Sequence, residues 1–331
     1  MIIVRTPLRI SFVGGGSDIP AFYRRQKGRV VSSAIDKFVY VIVKSRFDEK
    51  IYINYSKKEC VDRLDDVRHD LVREAMRITG VTGGVEITTL ADIPSEGSGL
   101  GSSSSITVAL LHALYAYNNE LVTAERLARE ACEIEIDILG KPIGRQDQYA
   151  AAYGGVNEFV FHEDDTVERR PVQLANHLFR KFSSSLLLYF TGLTRDANVI
   201  LSEQVENTAR EDRFTAMCRM VDMVPDFVAA LNQGDIHACG ALLQENWSLK
   251  RQMAAGISTP RIDAMAKKAL EAGAIGAKIA GAGGGGFLVL LVPRDSQAAV
   301  FEAMEGFREL PFMLERSGSK VIFDNREYPT K

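Results

Sequence analysis

The stretch PSEGSGLGSSSSITVALLHALYAYN, Pro94 to Asn118, constrains this chain more than any other. Glycines at 97, 99 and 101 let the backbone take positive φ and approach a ligand closely. Four serines follow, and then an apolar helix with Ile106, Leu110, Ala113, Leu114 and Tyr117 expected on one buried face. A flexible linker has no reason to feed straight into a buried helix. A loop that wraps an anion does, because the unpaired N–H groups and the dipole of the helix N-terminus point at it. A loose turn with a helix cap is the simpler alternative, but a cap needs one serine rather than four. Gly97, Ser98, Gly99, Leu100, Gly101, Ser102, Ser103 and Ser104 are therefore candidate phosphate-binding residues. No lysine follows in the GxxxxGK[ST] arrangement, so the loop is not of the Walker type.

Two further glycine loops stand in the chain. GAGGGG at 281–286 satisfies GxGxxG, yet the unbroken β-type run FLVLLVP follows it where a dinucleotide fold requires a helix. The dehydrogenase reading fails on that point. A turn between two strands fits better, with the backbone passing close to a ligand or to the first loop. In RTPLRISFVGGGSDIPAFY, 5–23, a strand runs into three glycines and then Asp18. Such an acid either bonds its own turn backbone or accepts hydrogen bonds from polyol hydroxyls. Arg9 is a charge inside an apolar strand, which must be paired or engaged on a phosphate. Between the loops, Glu135 at a helix end and Asp147 at a helix start flank the turn GKPIG. They are either ordinary caps or a metal ligand and a base.

The bulk properties exclude several classes. The 331 residues are 46% hydrophobic and 25% charged, with a net charge of −3 from interspersed acids and bases. No basic footprint for nucleic acid and no apolar run of membrane-spanning length is present. The four cysteines are widely spaced and the first residues read as a strand rather than a leader, so a reduced, cytoplasmic protein is expected. Five scattered histidines lack zinc spacing, which leaves Mg²⁺ on oxygen ligands as the expected metal. Strand-like runs dominate the first part; after about Ser184 one strand, several helices and the second glycine loop follow. The expected fold class is α+β in two domains, 1–180 and 181–331.

The ordered motifs PLRISFVGGGSD, PSEGSGLGSSSS and AKIAGAGGGG resemble the GHMP kinase superfamily over nearly the whole chain. That resemblance implies a ribosomal-protein-S5-like N-terminal domain, a ferredoxin-like C-terminal domain, and ATP with Mg²⁺. It implies that the 97–104 loop wraps the ATP phosphates, that Ser103 and Glu135 hold Mg²⁺, and that Asp147 faces the acceptor hydroxyl. Arg9 would steady the transferring group, and Asp18 would grip the sugar, with Gly15, Gly16, Ser17, Gly155 and Arg195 beside it. Gly281, Gly283, Gly284 and Gly285 would close over the site. Within the superfamily, TPLRISFVGGGSDIPAFY and YFTGLTRDA resemble bacterial kinases that phosphorylate the anomeric hydroxyl of D-glycero-D-manno-heptose 7-phosphate for surface-glycan synthesis. Fucokinase-like enzymes are the alternative, and a sugar sensor without turnover is the alternative of another class. A sugar phosphate needs a second cationic pocket, for which Arg24, Arg25, Arg195 and Lys250 are candidates. A homodimer is left open.

Overall fold

The computed structural model describes residues 1–94, 97–194 and 197–325. The first sheet is built on two long neighbours, Ile2–Val13 and Gly28–Ser45, paired antiparallel with Arg9 opposite Ala34. Their register shifts at Pro7/Leu8, where proline cannot donate to the ladder. The second of these strands is shared. Gly28–Ser33 pairs with Val156–Phe161, and Val39–Ser45 pairs with Val85–Ala91. Ile51–Asn54 joins parallel to Val85–Ala91. Lys58–Val61 and Val167–Pro171 complete one side each. The last strand, Lys320–Asp324, returns to pair with Ile2–Arg5. Its residues lie beyond position 180 in the chain but belong to the first sheet.

The helix Ser102–Tyr117 packs on this sheet, with helices Asp70–Thr79, Ala124–Cys132 and Gln146–Tyr153 around it. It is therefore buried on more than the one face expected. Val108, Ala109 and Leu111 are inaccessible as well as Leu110, Ala113 and Leu114, whereas Ile106 and Tyr117 are only half-buried. The helix expected to run from Thr123 to Gly140 starts as read, with Thr123 accepting from the Arg126 N–H at 3.2 Å. It changes at Glu133 into a π-helical stretch to Ile138. The helix Asn176–Ser184 and the strands Lys58–Val61 and Val167–Pro171 lie outside the expected elements; the helix is short but amphipathic, with Leu178, Phe179 and Phe182 packed on the core.

A second, three-stranded antiparallel sheet has the order Leu186–Phe190, Phe287–Leu291, Gly276–Ile279. Two of its strands, Leu186–Phe190 and Phe287–Leu291, read as unbroken apolar runs because both faces are covered, whereas Gly276–Ile279 carries the charge of Lys278. Leu186, Leu188, Val289 and Leu291 join the core of the first sheet. Their alternate neighbours Leu187, Tyr189, Leu288 and Leu290 join a second core with helices Glu211–Gln233 and Pro260–Glu271. Helices Ala197–Asn207 and Ile236–Lys250 bring Leu201 and Lys250 to a cleft between the two cores. Among the described residues, no helix is long and apolar enough to cross a membrane.

Candidate active site

Two adjoining cavities open in that cleft. The larger, about 670 Å³, is lined by the first glycine loop from Gly97 to Ser104 (Leu100 excepted), with Ile106, His69, Leu71, Thr194 and Leu201 among its other walls. Gly101 is left-handed (φ +78°) at the N-terminus of Ser102–Tyr117, which turns the first N–H groups of that helix toward the loop. The Ser98 and Ser102 hydroxyls bond each other at 3.1 Å. Leu100 does not line the cavity; it is inaccessible, and its carbonyl accepts from the Arg9 N–H at 3.0 Å.

The second glycine loop lies against the first, backbone on backbone. A Cβ on Gly99 would stand 2.4 Å from the Ala280 carbonyl oxygen, and one on Gly281 2.6 Å from that of Gly99. Only Gly281 and Ala282 of this loop line the cavities. Gly283 and Gly284 instead pack on Ile257, and Gly285 on Leu193. The loop wedges behind the first loop rather than covering the cleft with all its glycines.

Ser103 and Glu135 meet: the serine hydroxyl donates to Oε1 at 2.5 Å. Gln148 donates to Oε2 at 2.8 Å, and the Lys141 ammonium reaches Ser103 Oγ at 3.1 Å and Glu135 Oε1 at 3.4 Å. The sequence reading missed Lys141 and Gln148. A carboxylate and a hydroxyl are the hard oxygen donors that suit Mg²⁺. Among the described residues no group of three or more acidic, histidine or cysteine side chains is placed to hold a metal. An ion on Ser103 and Glu135 would complete its shell with phosphate oxygens and water, so the residues present fit Mg²⁺ held on a nucleotide.

Arg9 spans the junction of the cavities. Its Nε and Nη2 donate to the two carboxylate oxygens of Asp147 at 2.7 and 2.5 Å, and Nη1 donates to the Gly99 carbonyl at 2.7 Å. This fork-to-fork geometry locks Asp147 in place. Arg9 is 4% exposed, and both residues line both cavities.

The smaller cavity, about 70 Å³, lies deeper and is walled by Gly15, Gly16, Asp18, Gln146, Asn246, Lys250 and Lys278, among others. Asp18 is buried and accepts from the Gly16 and Gln146 N–H groups at 3.0 and 3.2 Å. Burial, and secondarily Asp147, raise its pKa above the ordinary carboxylate value. Gly144 leaves it room, since a Cβ there would sit 1.9 Å from Asp18 Oδ2. Lys250 donates to Gln204 Oε1 at 2.6 Å and the Gly15 carbonyl at 3.2 Å. Lys278 donates to the Ser11 and Phe12 carbonyls at 2.7 and 3.0 Å. The sequence reading passed over Lys278, although a lysine inside an apolar strand carries the same signal as Arg9.

Other sequence candidates stand elsewhere. Ser17 is inaccessible, and its hydroxyl is used up by the Arg29 carbonyl and N–H at 2.9 and 3.0 Å. Gly155 lines a separate surface cavity with Arg169, Phe179 and Arg316. Arg24 pairs with Asp165, and Arg25 lies over the Phe214 ring, both away from the cleft. Arg195 lies outside the described residues.

Comparison with known proteins bears on this cleft. Residues 66–155 match the family described as GHMP kinases N terminal domain, and 227–308 match GHMP kinases C terminal; together they span just over half the chain. The chain is similar to D-glycero-alpha-D-manno-heptose 7-phosphate kinase of Campylobacter jejuni, 29% identical over 92% of this chain and 93% of that protein. It is 27% identical, over 89% of its length, to 35% of the L-fucokinase/L-fucose-1-P guanylyltransferase of Bacteroides fragilis. Among solved structures, a D-glycero-D-manno-heptose 1-phosphate kinase from Bacteroides thetaiotaomicron superposes with a TM-score of 0.82 at 26% identity, covering 98% of this chain and all of that one. The fold, the order of the glycine loops and these matches agree, and the chain belongs to the GHMP kinases.

Proposed function

We propose that this kinase transfers the γ-phosphoryl group of ATP to the anomeric hydroxyl of D-glycero-D-manno-heptose 7-phosphate, giving the 1,7-bisphosphate. The observation that carries the reading is the Arg9–Asp147 pair at the junction of a large cavity and a deeper polar one. The larger cavity has the glycine loop and helix N-terminus suited to nucleotide phosphates. The deeper one has Asp18 and two lysines suited to a polyol with an anionic group. Phosphoryl transfer through a loose transition state asks mainly for positioning and charge neutralisation. Arg9, held by Asp147, stands ready to steady the moving group. Asp147 accepts a hydrogen bond from the attacking hydroxyl and takes its proton as the new bond forms. Ser103 and Glu135 would hold Mg²⁺, which supplies charge neutralisation on the phosphates. Similarity to the heptose kinases supports the substrate, and the fucokinase match supports a sugar 1-kinase as the second reading. An intact Arg9, Asp147, Glu135 and serine loop speaks against a sensor without turnover. The reading keeps the units 1–180 and 181–331, with the final strand returning to the first, and a cytoplasmic location.

The test is ADP release from Mg–ATP against a panel of sugars and sugar phosphates, with phosphorus NMR on the product. An anomeric phosphate formed from the heptose 7-phosphate supports the reading. Turnover of fucose alone moves the substrate to the second reading, and silence with ATP bound brings the sensor forward.

A further inference from the structure

Lys250 and Lys278 come from different elements, the end of helix Ile236–Lys250 and the strand Gly276–Ile279, yet both line the deeper cavity. They are 6% and 4% exposed, and lysines are almost never this buried without a paired charge. Among the described residues neither forms an ion pair; each donates to two neutral oxygens. An ammonium has three protons, so each keeps one more to give. The amide nitrogen of Gln204, whose oxygen accepts from Lys250, is a buried donor with no acceptor. Gln204 and Lys250 close directly over Gly16: a Cβ there would stand 2.2 Å from Gln204 Nε2 and 2.8 Å from Lys250 Nζ, so only glycine lets these donors come together.

The carboxylates of the cavity are already engaged. Both oxygens of Asp147 accept from Arg9, and Asp18 accepts from Gly16 and from the backbone and side chain of Gln146. Gln146 Oε1, on another wall of this cavity, is a buried acceptor without a partner and is left for a sugar hydroxyl. On the lysine side donors are in surplus, and a group that only accepts, an anion, suits them. This cavity of about 70 Å³ adjoins the larger one, so an anionic group can sit here while the sugar that carries it extends toward Asp147.

We infer that the deeper cavity is an anion seat, in which Lys250 and Lys278 hold a phosphate group that the acceptor already carries, with Gln204 positioning Lys250 from behind. This rests on the kinase reading for the identity of the acceptor. The seat and the Asp147 carboxylate face one continuous space through Arg9, Ile143 and Gly281. The selected acceptor thus has its phosphate several bonds from the hydroxyl that attacks, and the lysines set specificity for phosphorylated over plain sugars.

The experiment compares kcat/KM for D-glycero-D-manno-heptose 7-phosphate with that for unphosphorylated D-mannose, in the wild type and in Lys250→Met, Lys278→Met and Gln204→Glu. The last is isosteric and sets a carboxylate beside Lys250. Each variant should lower the preference for the phosphorylated acceptor by about 10- to 100-fold, through its KM, the range for losing one charged hydrogen bond. A readout independent of turnover is the binding of inorganic phosphate, followed by phosphorus NMR, with the nucleotide site filled by a non-hydrolysable ATP analogue. Wild type should bind it and both methionine variants should lose it. Folded variants, checked by thermal melting, that keep both the preference and phosphate binding would overturn the seat while leaving the kinase reading intact. A wild type that prefers the plain sugar and binds no phosphate would overturn it as well. If no sugar turns over but phosphate binding is lost in the variants, the acceptor assignment fails and the seat stands.

Discussion

Arg9 shows how a single misplaced charge announces a site. Its guanidinium, in an apolar strand, pairs through two N–H groups with Asp147 and donates to the Gly99 carbonyl of the first glycine loop. Asp147→Asn should lower kcat by about 10²- to 10⁴-fold, the usual worth of a positioned acid–base group, while ATP-analogue binding persists. A variant turning over at the wild-type rate would remove Asp147 from the chemistry. Glu135 is inaccessible, and the ligand role proposed for it predicts a selective loss. Glu135→Gln should weaken Mn²⁺ binding in the presence of a non-hydrolysable ATP analogue by at least about tenfold, read by electron paramagnetic resonance, because a charged ligand is replaced by a neutral one. Equal Mn²⁺ affinity would place the metal elsewhere. Lys278 carries the same kind of signal as Arg9, a charge within a short buried strand. Ser17 went the other way: a serine beside a glycine turn reads as a ligand, and its hydroxyl bonds Arg29 instead.

The glycine loops were legible as elements, and their proximity was expected as one of two possibilities. Four of the five glycines in 281–286 follow from close packing, since Gly281, Gly283, Gly285 and Gly286 stand against the backbones of Gly99, Ile257, Leu193 and Ser98 at distances that exclude a Cβ, while Gly284 takes a left-handed φ of +76°. The GKPIG turn works by the same principle beside Asp18. Gly144 has no left-handed φ, so its demand for glycine is purely steric. Gly144→Ala should push the Asp18 carboxylate aside and raise the acceptor KM by about tenfold or more, with little change in the KM for ATP. A shift confined to ATP would show that Asp18 does not face the acceptor. The helix after the phosphate loop was expected to bury one stripe, and it buries most of its circumference because other helices cover the side away from the sheet. Hydrophobic period reports how many sides are apolar, not how many neighbours arrive.

Across the whole molecule, the small sheet belongs to two cores at once and the last strand closes back on the first. That return is tied by Ser319, whose hydroxyl bonds Thr6 at 2.7 Å and His112 Nδ1 at 2.8 Å. Burial pushes the His112 pKa down to about 4 from 6.5. The unfolded chain then binds the extra proton between those values, so stability should rise with pH from about 4 to 6.5. His112→Gln should flatten that limb of a plot of Tm against pH; an unaltered limb would assign it to other groups. The cleft has its own pH signature. Burial lowers Lys278 to about 7, with Lys250 and Arg9 adding to the effect, and lowers Lys250 to about 8 against the pull of Asp18. An incoming dianion would raise both, so binding at pH 8 should take up protons, and affinity should fall as pH rises further. Calorimetry in buffers of different ionisation heat reads this directly, and zero uptake would mean that both lysines keep their protonation state.

The sequence alone determined the α+β class, the three glycine loops, most strands and helices, and the short roster of Arg9, Asp18, Glu135 and Asp147. These are properties of neighbours along the chain: apolar period, chain-breaking residues, and charges where none should be. Which of those residues meet was a matter for the fold, because Arg9 and Asp147 are 138 positions apart and Lys278 reaches back 267 to Ser11. Pairings at that separation depend on strand register and on how two cores share one sheet. No local pattern encodes either, since each is set by the packing of the entire chain.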